Sequence, residues 1–281
     1  MIELKFFTTS MVALVLAFLL AMVVNLPFLR RDSISHKGSG KGMIAVRVIL
    51  IFVIFFVAGG FIYFNIYYHA GETAEEAMKG SETVKVVEVA HGRMFDGPGE
   101  DTALVFYPGA KVDAPAYAPL MMALAERGLD VFLPDMPIRM AMFGRGFAAD
   151  YVDAYDYDTW IMGGHSLGGA MASFFATTRP DKIDGILMLA SYPSKPILED
   201  QVLYSVLGTS DGIINWKLYE EDKKNWPKEA KEIKIEGGNH SGFGDYGLQQ
   251  GDNEAAVSPE VQWDNTVNAV LEMQAEIKAK K

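Results

Sequence analysis

A serine with a glycine two residues to either side, Gly164-His165-Ser166-Leu167-Gly168, lies between an apolar run, Trp160-Ile161-Met162, and a helix-forming run from Gly168 to Thr178. In that context G-x-S-x-G describes a sharp strand-to-helix turn that holds its serine in a strained backbone conformation. Gly164 and Gly168 remove the side chains that would clash there. The serine oxygen then stands at the head of a sheet, backed by the free N–H groups and positive dipole end of a helix. The chemistry on offer is nucleophilic attack on an acyl carbonyl. A serine hydroxyl is a poor nucleophile at its free pKa, so a base must stand beside it.

Five histidines compete for that role. His36 lies in a basic connector and His69 beside a long apolar run, too far along the chain to serve. His165 sits inside the turn itself, where its backbone direction should point it away from Ser166. His91 reads as structural. His240, in Gly237-Gly238-Asn239-His240, follows a late β-like run, at the end of a strand where an open parallel sheet places its ligands. It is the expected base. Asp211, in Gly208-Thr209-Ser210-Asp211-Gly212, also follows a strand directly and is expected to orient the imidazole. Asp135 and Asp245 compete with it, but the first comes early in chain order and the second shares the histidine's own loop.

Acyl transfer also needs donors aimed at the developing oxyanion. One is the N–H of Leu167, next after the serine. The second should come from Pro108-Gly109-Ala110-Lys111, with the Ala110 N–H the choice and Lys111 the runner-up. The Lys111 side chain could also attract an anionic group, although a solvated lysine explains it equally well. Phe243, near His240, is a candidate for the pocket wall or a brace of the loop. Asp150, Asp153, Asp156 and Asp158 do not have the spacing of a calcium loop and read as a solvated face. Neither a metal nor an organic cofactor is called for.

The elements that must position these residues begin at about Thr83. Short apolar runs at 83–90, 103–107, 131–133, 160–163, 186–190, 202–207 and 233–236 read as strands. Helical patterns separate them at 115–127, 139–155, 168–178, 217–224 and 267–280. Strands alternating with helices imply a mostly parallel, doubly wound sheet covered on both faces, the α/β class. Only 44 residues separate Ser166 from Asp211, which leaves no room for a helical cap.

The start of the chain is different. Residues 6–29 and 48–71 are two runs of 24 without a charged side chain. A bilayer core takes roughly 20 helical residues to cross, so both runs are expected to span it, over about 6–29 and 48–70. The connector 30–47 holds five Lys/Arg against one Asp, and the segment 72–82 is acidic. The positive-inside rule then places the connector in the cytoplasm, and the domain from about 83 to 281 outside the plasma membrane. Tyr63, Tyr67 and Tyr68 would form an aromatic belt at the outer face. The sequence thus divides into a hairpin of two spans (1–71), an acidic linker (72–82) and an α/β domain. The chain's formal charge of −11 argues against nucleic acid as a partner. The absence of cysteine excludes thiol catalysis and a disulfide scaffold.

The segments Tyr107–Asp113, Gly163–Ala170 (GGHSLGGA) and Gly237–Gly247 (GGNHSGFGDYG) together resemble the α/β-hydrolase superfamily. More narrowly they resemble its small lidless branch, α/β-hydrolase fold family 5, related to dienelactone hydrolases and carboxylesterases. The order Ser166, Asp211, His240 is the one described for that superfamily. The resemblance covers about 104 to 267 and implies a serine hydrolase acting on small-molecule or surface-presented esters. A lipid-acyl hydrolase is the second expectation. A binding module on a hydrolase scaffold is the third, since fold alone does not fix function.

Overall fold

The structure, a computed structural model, describes residue 12, residues 14–21 and residues 40–281. Its contacts divide the chain into two units, Met1–Tyr67 and Tyr68–Lys281.

In the first unit, helix α1 spans Gly40–Asn65. Within it, Ala45–Asn65 has a mean hydropathy of 2.7 and is, among the described residues, the one helix long and apolar enough to cross a membrane. Residues 14–21 are helical as well, but the rest of the first expected span and residues 30–39 of the connector lie outside the described residues. The second expected span ends sooner than its composition suggests. The helix stops at Asn65, and Tyr68 already pairs with Val112 in an isolated bridge of the second unit. The expected boundary at residue 71 therefore moves back to 67.

The second unit is built on an eight-stranded sheet in the order β1-β2-β4-β3-β5-β6-β7-β8. The strands are β1 (Lys85–Val89), β2 (Gly92–Asp96), β3 (Thr102–Tyr107), β4 (Asp130–Pro134), β5 (Thr159–His165), β6 (Gly185–Leu189), β7 (Val202–Gly208) and β8 (Lys231–Ile235). All neighbours from β4 to β8 run parallel, and β1 and β2 form an antiparallel edge. Along β3 the side chains alternate, as a strand's must. Leu104 and Phe106 enter a core with Leu120, Met121, Val270 and Met273. Ala103, Val105 and Tyr107 enter the opposite core with Phe175 and Ile186. The first face is covered by α3 (Ala118–Ala125) and α7 (Pro259–Lys280), the second by α4 (Ala148–Val152) and α5 (Leu167–Thr178), while α6 (Trp216–Asp222) packs Tyr219 against Leu207 of β7. Burial on both faces is what makes β3 to β7 continuously apolar rather than alternating.

Three segments depart from expectation. Residues 139–155 do not form one helix. Positive φ at Ile138 (47°) and Arg139 (57°) breaks its start, and 3-10 turns lead into the short α4. Strand β2 has no counterpart in the sequence reading. Gly-Arg-Met-Phe-Asp lacks an apolar alternation, and the strand exists because it pairs with β1 through a turn at His91. The acidic segment after residue 71 is not a free linker, because α2 (Glu72–Ala77) packs into the fold with Ala74 fully buried.

Candidate active site

Strand β5 delivers Ser166 at its carboxyl end, and α5 starts at the next residue. Ser166 has φ 52° and ψ −123°, a left-handed conformation that a serine adopts only under constraint. The constraint is visible on both sides. A Cβ on Gly164 would lie 2.5 Å from the Gly168 carbonyl carbon, and one on Gly168 would lie 2.0 Å from the Tyr107 oxygen. The Ser166 N–H donates to the Leu189 carbonyl (2.9 Å), and the Ser191 hydroxyl donates to the Ser166 carbonyl (2.7 Å). The turn is thus tied to β3 and β6 at once.

His240 and Asp211 come together as the sequence predicts. His240 Nδ1 and Asp211 Oδ2 are 2.8 Å apart, in residues only 1% and 3% exposed. Asp211 Oδ1 accepts the N–H groups of Ile213 and Ile214, both at 2.8 Å, which fixes the carboxylate's direction. A carboxylate accepts only, so Nδ1 carries the proton and Nε2 the lone pair. Nε2 is buried with no hydrogen-bond partner among the described residues, and His240 shares with Ser166 the wall of one cavity of about 340 Å³. The remaining wall is Leu167, Ala170, Ala190, Ser191, Tyr192, Ile213 and Ile214, mostly apolar. Catalytic hydrogen bonds often close only once substrate is bound, so an open Ser–His contact suits a base at rest.

The hydrogen bonds of the 108–113 loop distinguish its amides. The Gly109 N–H goes to the Tyr117 hydroxyl (3.0 Å) and the Lys111 N–H to the Arg139 carbonyl (2.8 Å). Val112 and Asp113 donate to the carbonyls of Gly109 and Tyr68. Ala110 keeps the one amide of this stretch without an acceptor among the described residues. Leu167 opens α5, where the first amides have no intrahelical acceptor. The two candidate substrate contacts lie away from the cavity. Phe243 is fully buried against His165 (ring centroids 5.6 Å apart), and neither it nor Lys111 nor Ala110 is on the cavity wall. Burial lowers the pKa of the Lys111 ammonium.

Four supporting residues were not legible beforehand. Asp252 accepts the Gly212 N–H on one oxygen (2.9 Å), and the Ser241 N–H (2.8 Å) and hydroxyl (2.6 Å) on the other. It therefore clamps the loop of Asp211 to the loop of His240. His165 does turn away from the serine's cavity, but it packs on the His240 ring at 4.5 Å and meets the Tyr117 hydroxyl at 2.8 Å. Burial, and then the neighbouring His240, hold its pKa well below the usual imidazole value. Tyr117, fully buried, has its phenol pKa pushed up by burial and so stays protonated. Ser191 is the fourth. None of these contacts is local enough to leave a motif. The competing acids have other partners: Asp135 meets Arg93 at 3.1 Å, and Asp245 receives the Ala74 N–H at 2.8 Å.

The model of the alpha/beta hydrolase family matches residues 103–264, well over half of the chain. No curated protein matches it in sequence. Among solved structures, a CIB-like hydrolase from Thermoplasma acidophilum superposes with a TM-score of 0.51 at 18% identity, over 68% of this chain and 98% of its own. A dienelactone hydrolase from Anabaena variabilis gives 0.50 at 13% identity, over 68% and 97%. The mouse alpha/beta hydrolase domain-containing protein 10 gives 0.52 at 11% identity, over 69% and 99%. At these identities the likeness is one of fold.

Proposed function

This chain belongs to the alpha/beta hydrolase family, and we propose that it is a membrane-anchored serine hydrolase that cleaves carboxylic esters through an acyl-enzyme. The observation that supports the reading is the buried Asp211–His240 pair, with His240 and the strained Ser166 on the wall of one cavity. Ser166 Oγ attacks the acyl carbon as its proton passes to His240 Nε2, while Asp211 steadies the imidazolium. The tetrahedral oxyanion lies against the amides of Leu167 and Ala110. Collapse breaks the C–O bond, and the His240 proton leaves with the alcohol. A water, deprotonated by the same nitrogen, then attacks the acyl-serine and releases the acid.

Cavity size favours a small ester. About 340 Å³ is near the lower end for small-molecule sites, and residues 190–201, between β6 and β7, contribute no helix that could cover a long chain. Anchoring is supported by the apolar Ala45–Asn65 helix and the basic connector before it, which favour an extracytoplasmic hydrolase unit at the plasma membrane. The test is fluorophosphonate labelling of the full chain. Wild type is expected to label at Ser166, and Ser166→Ala to lose labelling together with about 10⁶-fold of ester turnover. A folded wild type that stays unlabelled would overturn the reading.

A further inference from the structure

The residues that follow α1 do not hang free on their way to the sheet. Tyr68 is three residues beyond Asn65, the last residue of α1, and there the backbone enters the catalytic loops. Its N–H donates to the Lys111 carbonyl (2.7 Å), and its carbonyl accepts the Asp113 N–H (2.9 Å). This stretch thus forms a short parallel bridge on the loop whose Ala110 amide is the proposed oxyanion donor. The Tyr68 hydroxyl accepts the Gln250 N–H (2.9 Å), on the far side of the loop of His240. Gly71 donates to the Asp245 carbonyl (2.8 Å), and the Asp245 carboxylate caps the amino end of α2 through the Ala74 N–H. Asp245 in turn donates its own N–H to the Ala116 carbonyl (2.7 Å).

One segment, 68–74, therefore ties together two loops that are far apart in sequence. A row of rings runs inward from the same segment. Tyr68 meets Tyr246 (centroids 5.7 Å apart), Tyr246 meets Tyr117 (6.2 Å), Tyr117 meets His165 (5.7 Å) and His165 meets His240 (4.5 Å). These spacings are those of contacting aromatic pairs. Packing of this kind transmits displacement, because a close-packed interior has no slack to absorb it.

We infer that the strap 68–74 is a positioning element of the active site, which holds the Ala110 loop and the His240 loop in register. It acts through those loops rather than on substrate. The inference rests on the hydrolase reading for its catalytic consequence, but the bracing itself can be measured without it. Asp245, once a competitor for the triad's acid, becomes the residue through which the strap is fastened.

The experiment uses the full chain in detergent micelles, with Asp245→Ala, Asp245→Asn and Gly71→Ala. The asparagine keeps an acceptor for the Ala74 N–H. A Cβ at Gly71 would lie 2.4 Å from Asp245 Oδ1 and so displaces the fastening without removing it. Two quantities are read: amide hydrogen exchange at 110–113 and 241–250 against β5–β7, and the rate of fluorophosphonate labelling. Loss of a charge-assisted contact is expected to speed exchange in both loops, and slow labelling, by about ten- to hundredfold in Asp245→Ala. Gly71→Ala should follow in the same direction, Asp245→Asn should stay near wild type, and β5–β7 should not change. Exchange at both loops that is unchanged in Asp245→Ala and Gly71→Ala overturns the inference. So does a labelling rate that ignores loosened loops. If the folded wild type never labels while the loops loosen as expected, the hydrolase reading fails and the brace stands.

Discussion

Helix α1 and strand β3 are written in similar apolar residues, yet they meet opposite surroundings. Phe106, on β3, is 0% exposed, held between α3, α7 and neighbouring strands. Phe52 and Phe56, on α1, are 72% and 83% exposed. A phenylalanine on the sheet finds its apolar partners within the chain, and that burial sets the strand ends from which Ser166, Asp211 and His240 project. On α1 the partners must come from elsewhere, and in the proposed reading a bilayer would supply them. The contrast also shows in charge. Residues 1–71 hold six Lys/Arg and two Asp/Glu, a net +4, which leaves 19 and 34, a net −15, for the remainder. If, as proposed, one apolar region serves address and the other placement of chemistry, a change in either should leave the other's property untouched.

The sharpest way to break that contrast is to charge α1. Each Asp near the centre of a span costs about 2.5–3.5 kcal/mol of insertion. In a chain that also lacks residues 1–29, the other uncharged run, Phe52→Asp with Phe56→Asp is therefore expected to move the protein from the carbonate-resistant membrane fraction to the soluble fraction. Turnover of a short soluble ester should stay at the wild-type level. A double variant that keeps its membrane residence would remove α1 as the anchor, and one that loses turnover in step would merge the two roles.

The reciprocal change is Phe106→Ala, which empties a packed site and should cost about 3–5 kcal/mol in urea unfolding of the second unit. Phe56→Ala should move the same transition by no more than about 0.5 kcal/mol. Equal shifts for the two would mean that α1 is packed like a core helix.

What the sequence reveals follows the range of the interaction. The elbow is legible because its requirements are local: a strand, two glycines, a serine and a helix within a dozen residues. The nearness of His240 to Asp211 is legible because each comes shortly after a strand, which places both at one end of a parallel sheet. The strap is not. Tyr68 to Gly71 continue an uncharged run, and hydropathy cannot tell a tyrosine at a lipid interface from one stacked on Tyr246. Phe243 looks like a pocket residue by its nearness to His240, and only the three-dimensional path of the loop turns it beneath His165. Asp252 carries no signal either, since its partners on Gly212 and Ser241 belong to two separate loops. The strand β2 falls in the same class, an edge made by pairing rather than by its own composition.

The smallest expected effect concerns charge at the buried end of β5. His165 is enclosed by Tyr117, Phe243 and His240, with its pKa held well below the usual value by burial and by the His240 ring. Tyr117 and Tyr246 nearby are kept protonated, since burial raises both phenols. The folded state therefore refuses a proton that the unfolded chain accepts below about pH 6.5. Below that pH the unfolded state binds more protons, so His165 removes up to about 1.4 kcal/mol of stability per pH unit, until the folded imidazole itself titrates. Above it the contribution is constant. Urea unfolding of wild type and His165→Gln between pH 8 and pH 5 measures this directly. The glutamine shifts absolute stability through repacking, but its decline with acid should be shallower by one proton's slope. Parallel declines would show that His165 already carries a proton in the fold, and the apolar end of the sheet would then shelter a charge that its surroundings argue against.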